Sequence, residues 1–186
     1  MAKKSDDPID AVKEWVETIR EDIEAMKAVV DSPGADVEAR RFAAAALNYL
    51  VTRMDLVPDH HEAVGVMDDV MVIRVLADLA SQHGTGSDLS TSDLAAFGRL
   101  TNEVDHIEAV IGEDLYAKLR KFCAKLKTEA VRNRTPDQVV DDESVREALY
   151  KEVAEDIDRL PAASFGDSDM VTAKFKSYLH HKLKDL

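Results

Sequence analysis

Asp68-Asp69-Val70-Met71-Val72-Ile73-Arg74-Val75-Leu76-Ala77-Asp78-Leu79-Ala80-Ser81-Gln82 contains the most apolar stretch of the chain, Val70 to Ala77, interrupted by Arg74 and bounded by carboxylates. It reads as a helix that is apolar around most of its circumference. A helix of that kind sits at the centre of a bundle, or else turns a second buried face to a partner. The uninterrupted apolar run is far short of the roughly 18 to 20 residues a membrane span needs.

Working outward, helical periodicity recurs on both sides. Upstream, Ile9, Val12, Trp15, Val16, Ile19, Ile23, Met26 and Val30 mark one amphipathic helix, opened by Asp7-Pro8 and ended by Ser32-Pro33-Gly34. A second helix starts after Asp36, runs through Ala43-Ala44-Ala45-Ala46, and stops near Arg53; its alanines permit close approach by another helix. Downstream, Ser90 or Ser92 caps a fourth helix with Leu94, Phe97, Leu100, Val104, Ile107 and Ile111 on one face, closed by Gly112. A fifth spans Glu113 to Asn133. Thr135-Pro136-Asp137-Gln138 has capping-box spacing and opens a sixth helix or a broken pair. Ser168 or Asp169 caps the last, whose Phe175, Leu179 and Leu183 share a face while Lys174, Lys176, His180, His181, Lys182 and Lys184 make it locally basic. No segment alternates with period two. The expected fold is all-α, a bundle of about seven helices, with an N-terminal region 1–83, a linker 84–90 around Gly84-Thr85-Gly86-Ser87, and a C-terminal region 91–186.

Composition sets further bounds. In 186 residues there are 24 Lys and Arg against 37 Asp and Glu, net −13, with 45% hydrophobic residues and only 7 Gly and 5 Pro. The charge argues against nucleic acid, whose recognition needs clustered cations. It also argues against association with anionic membranes. Cys123 is the only cysteine, so no intrachain disulfide forms, and a reducing cytoplasm fits best. The N-terminus runs from two lysines into acids and Pro8 without the apolar segment of a secretion signal.

One connection carries a motif. Tyr49, Asp55-Leu56-Val57-Pro58-Asp59 and Gly65-Val66-Met67-Asp68-Asp69 follow one another in the order Tyr, Asp-Leu-x-Pro-Asp, Gly-x-x-Asp-Asp. This resembles the YkvA-like family of bacterial proteins, over about residues 43–80. Arg53 stands where that family usually has a first Pro, and His60-His61-Glu62 replaces a segment that is commonly apolar. The family has no established activity, so the resemblance implies candidate positions and no reaction.

The residues themselves leave two readings open. Asp55 and Asp59 suit turn chemistry, while Asp68 and Asp69 suit the N-terminus of the helix they open. Alternatively Asp55, Asp59, Asp68 and Asp69, joined by His60, form a divalent-cation site: carboxylate oxygens suit Mg or Ca, and imidazole shifts the preference toward Zn or Mn. Glu103-x-x-His106 has the spacing of di-metal bundles but occurs once, where two such pairs are required. Gly84-Thr85-Gly86-Ser87 lacks the strand and lysine of a phosphate loop. Cys123 falls on an apolar stripe, as an inert core thiol does. No nucleophile with a base and no cofactor loop can be assembled. The expectation is therefore a non-enzymatic interaction or regulatory module that binds a protein partner or itself, with a divalent-metal-binding protein or metal-dependent enzyme using the aspartate cluster at 55–69 as the alternative.

Overall fold

The computed structural model describes residues 8–52, 56–57, 63–158, 165 and 167–186. Among them the chain is all-α, with nine helices and no strand: α1 (Pro8–Asp31), α2 (Val37–Leu50), α3 (Ala63–Ser81), α4 (Thr91–Asn102), α5 (Val104–Ile111), α6 (Glu113–Leu126), α7 (Pro136–Asp141), α8 (Glu143–Ile157) and α9 (Ser168–Lys182).

The apolar stretch lies where its composition requires. Every residue from Val64 to Ala77 is buried, and α3 packs against α1, α2, α4, α5, α6 and α9. Its large side chains, Met67, Met71, Ile73 and Leu76, are among the most completely enclosed in the protein. Burying a side chain of that size contributes about 1.5–3 kcal/mol. α2 lies beside it with Ala43, Ala44, Ala45 and Ala46 all buried, the close approach expected of small residues. One apolar cluster takes side chains from both sides of the 84–90 segment, from Ile9 to Leu183. That segment is itself tied to the α1–α2 turn. The Asp36 N–H donates to the Gly84 carbonyl at 2.6 Å, and the Ser32 hydroxyl donates to Asp88 at 2.6 Å. Gly86 has φ +93°, and a Cβ there would stand 2.2 Å from the Ser32 hydroxyl, so only glycine fits.

Helix boundaries follow local capping chemistry, with departures from the sequence expectation at a few ends. Asp36 accepts from the Glu38 N–H at 2.8 Å and Ser90 from the Asp93 N–H at 3.1 Å, and the Thr135–Gln138 capping box forms. The expected helix from Leu94 to Ile111 is two helices broken at Glu103, whereas the 136–157 segment is the broken pair, one of its two expected forms, with the second member capped by Asp142. The fifth helix ends at Leu126 and not near Asn133, and Arg132 and Asn133 take left-handed φ values of 50° and 62° in a separate tight turn closed by Val131 and Arg134. The cap of α9 is Asp167, one residue earlier than expected.

The interior also holds a charge network. Arg74 and Asp22 are both fully buried, with the Arg74 Nη2 3.1 Å from Asp22 Oδ2. Glu103 Oε2 accepts from Arg74 Nε at 2.8 Å and lies 2.8 Å from Nη2, while Arg74 Nη1 donates to the Val70 carbonyl. The guanidinium carbon sits 4.4 Å above the Trp15 ring, a cation–π contact in a desolvated site. Arg99 completes the set, donating to Asp22 Oδ1 and to the Thr18 hydroxyl, both at 2.7 Å. Two carboxylates thus face two guanidinium groups across α1, α3 and the α4–α5 junction.

Removing one carboxylate of such a set leaves two guanidinium groups facing one, and breaking a buried pair in this way costs about 3–5 kcal/mol. Asp22→Ala is expected to lower unfolding free energy by about that amount in urea titration, because Arg74 stays buried. Acid adds a second test. Hydrogen bonds from Arg134 hold the Glu152 carboxyl below its ordinary value of 4.5. A lowered folded-state value means the contribution is present above 4.5 and lost as pH falls through the folded value. Glu152→Gln is therefore expected to lose less stability than wild type between neutral pH and that acid range, measured by denaturant midpoints against pH.

Candidate functional site

Tyr49 closes the last turn of α2, and its side chain turns into the space between α2 and α3. Its ring meets Phe122 of α6 edge-on, with centroids 6.2 Å apart at 82°. The hydroxyl donates to Asp68 Oδ2 at 2.7 Å and accepts from the Leu56 N–H at 3.0 Å. The same Asp68 oxygen accepts from the Val57 N–H at 3.2 Å. All four residues are buried, Asp68 and Val57 completely.

Two consecutive backbone amides of the α2–α3 connection are thereby satisfied by side chains on the two helices it joins. Leu56 and Val57 belong to the apolar cluster, so their N–H groups have left water and need such partners. Burial, together with the charges of Asp68 and Asp69, pushes the Tyr49 phenol well above its ordinary range. Tyr49 is held as a neutral donor and is unsuited to act as a base near neutrality.

Asp68 and Asp69 do not stand at a helix N-terminus, because α3 begins at Ala63 and both lie in its second turn. Asp68 serves the connection and not a cap. Asp69 is buried beside it. Asp55, Asp59 and His60 lie outside the described residues. Among the described residues no group of three or more His, Cys, Asp or Glu is placed to hold a metal ion. Glu103 of the Glu103–His106 pair is committed to Arg74, and His106 is exposed. Cys123 is fully buried, and burial raises its thiol far above the ordinary range, which suppresses the thiolate.

A groove of about 350 Å³ lies elsewhere, between the start of α1, α5 and α9; its lining includes Ile9, Val110, Thr172 and Lys176, and none of the motif residues. No described helix is long and apolar enough to cross a membrane.

No family model, curated protein or solved structure matches the chain.

Sequence reasoning singled out Tyr49 and Asp68 as motif positions without joining them; nothing in the spacing of 19 residues says that one hydroxyl bridges the two. It passed over Asp22 and Glu103 as partners for Arg74, although an arginine inside an all-apolar helix signals that buried carboxylates must face it.

The Tyr49–Asp68 pair yields a direct expectation. Tyr49→Phe preserves the ring and removes the hydroxyl, leaving the Leu56 N–H without its acceptor and Asp68 with one donor fewer. A loss of about 1–3 kcal/mol in unfolding free energy is expected, read from urea titration. A change below a few tenths of a kcal/mol would show that the hydroxyl contributes nothing to the latch.

Proposed function

We propose that the chain is a YkvA-like, non-enzymatic helical interaction module acting in the cytoplasm. The observation that carries this reading is the engagement of Asp68. A catalytic or metal-ligating carboxylate must present oxygen to substrate, water or a cation, whereas Asp68 is fully buried and accepts from the Tyr49 hydroxyl and the Val57 N–H. The resemblance supports the same reading from another side. The motif's Tyr, Leu and Gly-x-x-Asp positions are Tyr49, Leu56, Gly65 and Asp68, and three of these form the hydrogen-bonded unit that fixes the α2–α3 connection. A motif that builds a scaffold leaves activity to the surface around it.

The surface suits association. Val37 and Leu94 are each 46% exposed and Met170 68%, on helices whose opposite faces fill the core. Charge is separated between helices rather than dispersed evenly, as partner recognition by electrostatic complementarity requires.

The metal-dependent alternative makes an opposite prediction, which a single titration decides. Thermal unfolding in the presence of excess Mg, Ca, Mn or Zn is expected to leave the midpoint unchanged relative to EDTA, because nothing binds the native state preferentially. A saturable rise in midpoint, abolished by Asp59→Asn or His60→Ala while those variants remain folded, would overturn the reading.

A further inference from the structure

Residues 115–128 and 170–184 carry five and four of the chain's 24 basic residues and no Asp or Glu, which leaves 15 basic residues against all 37 acids in the remainder. The first segment is most of α6, the second most of α9, and these two helices pack on each other. The most cationic parts of an acidic chain are therefore on neighbouring helices. Arg120 and Lys127 are paired within the chain, with Asp78 and Glu38. Among the described residues, Lys118, Lys121, Lys125, Lys174, Lys182 and Lys184 form no ion pair. The helix macrodipole favours cations only in a last turn, which accounts for Lys125 and Lys182 but not for Lys118, Lys121 or Lys174. Met170, the most exposed large apolar side chain among the described residues, stands one turn before Lys174 and adds an apolar point beside it.

The complementary surface is on the same chain. Glu14, Glu17, Glu21 and Glu24 are all exposed on α1 at steps of three, four and three residues, which places them in one stripe about 15 Å long. Lys174 to Lys182, the last residue of α9, spans eight residues or about 12 Å at helical rise, and Lys184 follows just beyond the helix end. Glu21 and Glu24 already touch Arg99 and Lys27, whereas Glu14 and Glu17 form no ion pair among the described residues.

We propose that this protein binds a second copy of itself by seating the acidic stripe of α1 on the lysine-bearing side of α6 and α9. This deepens the interaction-module reading and rests on it. The contact is heterologous, one patch against a different one, so it closes into a two-fold pair only when both patches meet at once and otherwise builds a ring or chain. Mutual repulsion of two chains of net −13 does not prevent it, because at physiological ionic strength charges more than about 8 Å apart are largely screened and the facing patches dominate.

Charge exchange tests this on the full chain. In analytical ultracentrifugation at about 50 mM salt, wild type is expected to show a weight-average mass at least about twice the 20.6 kDa monomer, falling toward the monomer at about 500 mM. Lys121→Glu with Lys174→Glu, and separately Glu14→Lys with Glu17→Lys, should each give monomer with unchanged far-ultraviolet circular dichroism. An equimolar mixture of the two variants should restore association, since each then supplies what the other lost. Wild type that stays monomeric at about 50 mM salt overturns the proposal, as does association that neither variant weakens. Binding of anionic vesicles or of a short DNA duplex to the wild type, abolished by the lysine variant, also overturns it by assigning the face to another class of partner. These outcomes are separate from the metal titration: a monomeric chain without metal response removes the self-association alone, whereas a metal-dependent midpoint removes the module reading beneath it.

Discussion

The Arg74 guanidinium is the constraint around which the bundle is arranged. It cannot be deprotonated at any physiological pH, and it lies in the middle of a helix that is buried on every side. An unpaired charge there would be prohibitive, so the neighbouring helices must bring carboxylates to it. α1 supplies Asp22 and the face of Trp15, and the break between α4 and α5 supplies Glu103. Asp22 carries the cost of this arrangement. Desolvation raises its carboxyl above the ordinary value of 3.8, and the attraction of Arg74 and Arg99 only partly offsets that effect. A raised carboxylate value means stability that is present below 3.8 and lost as pH rises through the folded value, so the ionised pair is tolerated near neutrality rather than being a net source of stability.

The polar anchors do something that the apolar surface of α3 cannot. A helix with one apolar stripe has its rotation set by that stripe, but α3 is apolar nearly all round and has no preferred face. Asp68 and Arg74 are six residues apart, so they leave the helix in directions separated by about 120°. One reaches Tyr49 and the α2–α3 connection, the other α1 and the α4–α5 junction. Two points fix a rotation about an axis and a position along it. Buried polar groups of this kind select one packing among several of similar apolar burial.

This division explains what could be read from residues alone. Period placed α1, whose expected cap Asp7 lies outside the described residues, and period with capping chemistry placed α2 and the starts of α4 and of the Thr135–Gln138 segment, because those signals are local and each cap is satisfied within one turn. The central position of α3 was legible from the absence of a polar face. Its true start was not, since Pro58 and Gly65 are turn signals in isolation. Glycine in a helix interior costs only about 1 kcal/mol against alanine, which tertiary burial outweighs. The break at Glu103 was hidden for a related reason: the apolar stripe from Leu94 to Ile111 continues across it, and what interrupts the helix coincides with a carboxylate aimed at Arg74, 29 residues away. At the motif, the residue types were visible and their partnership was not.

The same reasoning bears on the excess of acid. Carboxylates taken into the interior, Asp22 and Asp68 completely and Asp69 nearly so, are committed to the fold and contribute little field at the surface, since Asp22 is matched by Arg74 and Arg99. Most of the arginines are likewise committed, with Arg41, Arg74, Arg99, Arg120, Arg132, Arg134 and Arg146 all in ion pairs. Their planar, multiply donating group suits fixed pairing, whereas the flexible ammonium of lysine suits an exposed, adaptable contact. The cations left to the surface are thus mainly lysines, and the topology gathers six of them on α6 and α9 outside any ion pair among the described residues. What a partner meets on this protein is set less by its net charge than by which charges the core has already used.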